Sequence, residues 1–226
     1  MINNHVGAPS ITPKAKIYTL SFWLLCGSSF LFFGSFSMIL PELPDYLASL
    51  NGQEYLGFVV SLFTLSAAVS RPFSGKLTDK WGRIPVMFIG ACISGLAALI
   101  YPLTTTVFGF LIIRLLHGFS AGFKPTGTSA YVADIIPANR RGEALGILSM
   151  FGTIGMASAP ILGSWIFLTY DINTLFYCSS VFSIGSVLIL FGMKETLKNK
   201  DPFKLALLKI GKADLYEPSV IPPSLI

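Results

Sequence analysis

Three side chains in this sequence can hold or relay charge where charge is costly. Arg114, His117 and Lys124 all fall inside one apolar run, residues 106–128. Arg114 lies about eight residues into it, roughly 12 Å along a helix that rises 1.5 Å per residue. In a bilayer, a cation at that depth costs about 2.5–3.5 kcal/mol on insertion scales. Arg114 must therefore face protein or water, not lipid. Gly118 and Gly122 follow it at four-residue steps on one helical face, with His117 a single turn away. Arginine stays protonated at neutral pH, so Arg114 can tune a neighbour but cannot carry a proton. An unperturbed imidazole titrates near neutrality, so His117 either carries a proton or simply packs. Lys124 either snorkels along its stem toward the aqueous end or faces an internal cavity, where it favours anionic compounds. Other chemistries lack their residues. There is no HExxH motif, no pair of intramembrane aspartates and no Gly-rich phosphate loop of the Walker kind. Cys26, Cys92 and Cys178 are odd in number, form no CxxC pair and sit in apolar runs, which makes them packing residues. The sequence thus implies no metal, no cofactor and no enzymatic nucleophile.

The elements that position these groups follow from composition. The 226 residues are 53% hydrophobic and 12% charged, against about 25% charged in a soluble domain. The apolar residues form six runs, roughly 17–40, 55–74, 84–103, 106–128, 144–169 and 174–193. Each is near the ~20 residues that cross a bilayer. The predicted fold is an all-α membrane protein, a six-transmembrane-helix bundle. The first run is too long for a signal-peptide core and no small-residue cleavage site follows it, so it reads as a retained span. Lys and Arg residues cluster before the first run, in the second and fourth connections, and after the sixth run. The first, third and fifth connections hold none, while Glu42, Asp45, Glu54 and Asp171 lie there. The positive-inside rule then puts both termini in the cytoplasm, and the expected location is the plasma (inner) membrane. The net charge of +5 is a topology signal; no basic surface interleaved with aromatics argues for nucleic acid.

Three segments follow: a polar tail (1–16), the bundle (17–193) and a cytoplasmic linker (194–226) that stops at the threshold of a further helix. Within the linker, residues 203–210 have the pattern of a short amphipathic helix. Leu40-Pro41-Glu42-Leu43-Pro44-Asp45 stops the first helix at the outer interface. The stretch Gly75-Lys76-Leu77-Thr78-Asp79-Lys80-Trp81-Gly82-Arg83 reads as a tight connection, with Gly75 and Gly82 supplying conformational freedom. The third run carries no charge and reads as a packing helix that largely faces lipid. The fourth connection carries Asp134, Arg140 and Arg141. In the fifth run, Gly155, Ala159 and Gly163 form a groove of missing side chains, and Pro160 should bend the helix.

Four of these stretches resemble one family. Gly75 to Arg83 is similar to the loop between helices 2 and 3 of the major facilitator superfamily, with Ile84 where the pattern ends in a basic residue. Arg114-Leu-Leu-His117-Gly118-Phe-Ser-Ala-Gly122 resembles the helix 4 motif of that superfamily. Gly155-Met-Ala-Ser-Ala159-Pro160-Ile-Leu-Gly163-Ser164 resembles the helix 5 motif of its antiporter members, with Ala and Ser in place of two glycines. Leu40 to Pro44 resembles the end of helix 1 in drug:proton antiporters. The resemblance implies one half of a twelve-helix fold, with helices 1–3 and 4–6 as inverted repeats. It implies proton-coupled efflux of a small molecule by alternating access, with a second six-helix half as partner. In that setting Asp79, Lys80 and Arg83 would form a cytoplasmic gate, against the plainer reading of a solvated loop pair. Arg114 would act in coupling or substrate binding, against a structural ion pair or backbone-carbonyl contact inside the bundle. Proton-carrier candidates are Glu42, Asp45, His117 and an acid of the second half. The helix 5 motif would seal the halves, against ordinary close packing. The alternative is a non-transporting fragment that acts only by assembling with a partner chain.

Overall fold

The computed structural model describes residues 18–203. The tail 1–16, the amphipathic helix expected over 203–210 (all but Phe203) and residues 211–226 of the linker lie outside them. Seven α-helices occur among the described residues: α1 (Leu20–Ile39), α2 (Leu43–Ser49), α3 (Phe58–Lys80), α4 (Arg83–Ile100), α5 (Val107–Ile135), α6 (Arg141–Thr169) and α7 (Ile172–Phe191). A chain in hydrocarbon must pair every backbone N–H and C=O internally, which a helix does within one segment. Six spans are long and apolar enough to cross a membrane, α1 and α2 together forming the first.

The turns use local chemistry. Pro44 stands in the first turn of α2, where a missing N–H is harmless. Asn51 takes φ +62° after α2, a conformation asparagine tolerates. Thr106 caps α5 by accepting from Gly109 N–H at 3.1 Å, and Asp171 caps α7 by accepting from Thr174 N–H at 2.7 Å.

Packing follows a symmetric scheme. α1 lies on α6 and α7, α5 lies on α3 and α4, and α4 meets α7. Exchanging the first three spans for the last three maps this pattern onto itself, as an inverted 3+3 repeat requires. Buried serines stitch α1 to α7: Ser28 Oγ lies 2.9 Å from Ser186 Oγ, and Ser35 Oγ donates to Ser179 O at 2.7 Å. Such bonds average about 0.6 kcal/mol in membranes, so small side chains and close approach matter as much.

Two expectations are corrected. The connection expected over Gly75–Arg83 shrinks to Trp81-Gly82, because α3 continues to Lys80 and α4 begins at Arg83. Ser70, Ser74, Leu77 and Thr78 continue the buried face at helical spacing, which carries the helix past Pro72. Gly75 is a helical residue with nothing within 4 Å of its would-be Cβ. Among the described glycines, Gly82 alone has the positive φ, +142°, that demands glycine. The second correction concerns α4, which does not largely face lipid: Val86, Met87, Gly90, Ala91, Ser94, Gly95, Ala97 and Ala98 are buried. Gly90 admits the α5 backbone and Gly95 admits Ser183 of α7. An uncharged helix of small residues suits protein contact as well as lipid.

Candidate functional site

At the end of the bundle where α3 turns into α4, one arginine joins three elements. Arg83 Nε donates to Asp134 Oδ2 at 2.9 Å, tying the turn to the end of α5. Arg83 Nη1 donates to the Thr78 carbonyl and reaches Asp79 Oδ1 at only 3.4 Å. The Arg83 side chain is 12% exposed and that of Asp79 72%. Arg83 is thus committed within this bundle, while Asp79 points outward and Lys80 is exposed.

The segment after α7 completes this cluster. Glu195 accepts from the N–H groups of Arg83 and Ile84, both at 3.1 Å, and so caps α4. Its carboxylate also accepts from Thr196 N–H and Leu197 N–H, and Thr196 Oγ1 donates to Asp134 Oδ2 at 2.6 Å. Asp201 N–H donates to the Lys80 carbonyl at 2.8 Å. Sequence reasoning missed Glu195; its one signal was an acid at the head of a lysine-rich stretch. The fourth connection divides. Arg140 pairs with Glu143 at 2.6 Å within its own turn, and Arg141 Nε reaches the Ile136 carbonyl at 3.4 Å, away from Asp134.

In the bundle interior, α5 sends Arg114 and His117 to different hydrogen-bond partners. Arg114 is 1% exposed. Its Nε donates to the Val59 carbonyl of α3 at 2.5 Å, and its guanidinium lies 4.5 Å from the Phe63 ring centroid. Its Nη1 has no hydrogen-bond partner among the described residues. His117 turns toward α4: Nε2 lies 3.2 Å from Ser94 Oγ and Nδ1 3.4 Å from Tyr101 Oη. Gly118 and Gly122 let α3 approach, since a Cβ would stand 1.8 Å from Ser66 Oγ or Ser70 Oγ respectively. Arg114 and the two glycines thus share the α3 side, while His117 bonds toward α4 and sets its ring edge-to-face with Phe63 of α3, centroids 5.6 Å apart.

The small residues of α6 are used within this bundle. A Cβ at Gly155 would meet the Phe30 carbonyl at 2.4 Å, and one at Gly163 the Met38 carbonyl at 2.3 Å, both on α1. Ala159 is buried on this face, and Pro160 sits inside an unbroken α6. Glu42, at the far end, accepts from Ser164 Oγ at 2.7 Å.

Between α1, α5 and α6 lies a cleft of about 220 Å³, lined by Ser29, Phe33, Lys124, Thr128, Ser149 and Thr153 among others. Lys124 does not snorkel. It is 1% exposed and its Nζ donates to Ser28 Oγ at 2.9 Å.

Comparison with known proteins fits this arrangement. The chain is 30% identical over 186 residues to multidrug resistance protein 2 of Bacillus subtilis, covering 82% of this chain and 46% of the relative. It is 30% identical over 206 residues to multidrug resistance protein MdtG of Escherichia coli, covering 88% of this chain and 50% of the relative. The chain therefore spans about half the length of the curated relatives it matches. Among solved structures, the human organic anion transporter MFSD10 superposes with a TM-score of 0.70 at 19% identity, over 85% of this chain and 51% of that one. The proton:xylose symporter XylE gives a TM-score of 0.67 at 16% identity, over 78% and 45%. These likenesses show the fold, one six-helix half of a larger one. The profile of the Major Facilitator Superfamily matches residues 25–220. This integral, multi-pass membrane protein belongs to the Major Facilitator Superfamily of transporters.

Proposed function

We propose that the chain acts as the N-terminal half of a proton-coupled efflux transporter. It would rock against a second six-helix half in the plasma (inner) membrane, with both termini cytoplasmic. Relatives named for multidrug resistance support efflux, and the cleft between α1, α5 and α6 supplies one wall of a small-molecule site. The observation that carries the reading is the state of Asp79. Its neighbour Arg83 is engaged by Thr78 and Asp134, which leaves the Asp79 carboxylate 72% exposed at the bundle end. An acid so placed can meet the N-terminus of a helix from a facing half. Such a contact gains about 0.3–1 kcal/mol, enough to bias closure and weak enough to release. Asp79→Asn, in the chain joined to its second half, lowers drug flux in everted vesicles while membrane insertion is unchanged. Unaltered flux would remove the gate.

A second reading is favoured by the half-length match to relatives: the chain is a non-transporting membrane fragment that acts only by assembling with a partner chain. Proton flux in liposomes holding the chain together with a second six-helix half separates the two. Flux from the assembled pair supports the transporter half, and a stable pair without flux supports the non-transporting reading.

A further inference from the structure

Lys124 is a buried amine with no carboxylate partner among the described residues. Its base is fixed by the close approach of α4: a Cβ at Gly90 would stand 2.5 Å from Lys124 N and 2.9 Å from Lys124 Cβ. Its ammonium group donates to Ser28 Oγ at 2.9 Å and stands 5.8 Å from the Phe32 ring centroid. Among the described residues no carboxylate pairs with it. An ammonium has three donors to place, and a charge taken out of water is costly until it is paired. The cleft that Lys124 lines has no acidic residue: Ser29, Ser149 and Thr153 supply hydroxyls, and Phe33 and Met156 supply apolar surface. Its ~220 Å³ is smaller than the roughly 300–1,000 Å³ of ordinary ligand pockets, as suits a site with one wall contributed by a second half.

We propose that this cleft takes small molecules that join an anionic group (carboxylate, sulfonate or phosphonate) to an aromatic or aliphatic body, with the anion seated on Lys124 Nζ. The proposal rests on the transporter reading and names its substrate class. The hydroxyls solvate the anion's remaining oxygens, and the Phe33 side of the cleft takes the apolar body. A cationic compound would meet an unpaired like charge and no acid.

The test compares three probes of one shape: naphthalene-2-sulfonate, its neutral sulfonamide and 2-naphthylmethylammonium. Equilibrium dialysis against the chain in phosphatidylcholine nanodiscs measures binding without requiring transport. The sulfonate binds at least about tenfold more tightly than the sulfonamide, as a charge-assisted hydrogen bond supplies, and the ammonium binds weakest. Lys124→Met abolishes the preference, and Lys124→Arg keeps it. Equal binding of sulfonate and sulfonamide, undetectable sulfonate binding, or a preference that survives in Lys124→Met overturns the assignment. If Lys124→Met does not fold, the three-probe comparison on the unaltered chain and Lys124→Arg decides by itself. Loss of the preference on adding phosphatidylglycerol would assign the anion to a lipid headgroup and overturn the substrate claim. Flux in vesicles reports separately: sulfonate binding without flux defeats transport and leaves the anion site standing. Flux of the ammonium probe with no sulfonate preference does the reverse.

Discussion

The contact between α3 and α5 depends on two glycines that should fail in different ways. In Gly118→Ala, the new Cβ would lie 1.8 Å from Ser66 Oγ and 2.3 Å from the Phe63 carbonyl oxygen. The hydroxyl can rotate away, but the carbonyl belongs to the α3 backbone, so the helix itself must retreat. Overpacking typically costs about 1–3 kcal/mol, and a backbone obstacle belongs in the upper part of that range. Alanine returns about 0.8–1 kcal/mol of helix propensity, leaving a net loss of about 1–2 kcal/mol. At roughly 2–4 °C per kcal/mol for a chain of this size, the unfolding midpoint falls by about 2–8 °C. Gly122→Ala meets mainly one side chain: Ser70 Oγ at 1.8 Å and Ser70 Cβ at 3.0 Å, with the Ala67 carbonyl at 2.8 Å. Pairing it with Ser70→Gly removes the worst obstacles, so the double mutant recovers by at least about 1 kcal/mol relative to additivity. Ser66→Gly does little for Gly118→Ala, because the Phe63 carbonyl stays. Gly75→Ala is the control; with no neighbour within 4 Å, it raises the midpoint by about 1–4 °C through backbone entropy alone. The assay is tryptophan-monitored thermal unfolding in detergent at one fixed scan rate, since such unfolding is often irreversible. A Gly118→Ala midpoint at or above that of the parent refutes the close approach. Equal rescue at both pairs refutes the assignment of backbone versus side-chain obstacles.

Other consequences are checked more simply. Glu195→Ala strips the α4 N-terminus of its acceptor; the midpoint falls by roughly 2–8 °C for a lost cap of about 1–2 kcal/mol, and hydrogen exchange at the Arg83 and Ile84 amides speeds up. Unchanged exchange there would show that Glu195 is not the cap. Thr174, through its side chain first and its backbone N–H second, holds the Asp171 carboxyl below its ordinary value. A depressed folded-state pKa contributes stability above the unfolded value and loses it as pH falls through the folded one. Asp171→Ala should therefore lower the midpoint at pH 7 and converge with the parent as pH drops below about 4, near the ordinary carboxylate value. A constant gap across that window would refute the capping role.

Hydropathy was enough to read six spans, because a bilayer sets a length rule on local stretches of chain. The burial of Arg114 was equally legible, since no lipid-facing arginine is tolerable at that depth. Gly118, Gly122, Gly155 and Gly163 announced close approach but not its target. Only the fold shows that the first two admit α3 and the last two admit α1. The turn at Gly75–Arg83 read too long, because its charged residues mark where the helix meets water and not where it ends; the buried stripe through Leu77 and Thr78 is a tertiary fact. The same is true of α4, whose lack of charge fits lipid and protein alike. Glu195 lies 111 residues from Ile84 in the chain, and no local pattern links them. The sequence by itself determined which segments enter the membrane and which charges they must hide. The tertiary structure alone decided where those charges go: Arg114 to a carbonyl of α3, His117 to α4, Arg83 to Asp134, and Lys124 to a cleft with no acid of its own. Hydropathy belongs to single segments, whereas a partner for a buried charge comes from whichever helix the packing brings alongside.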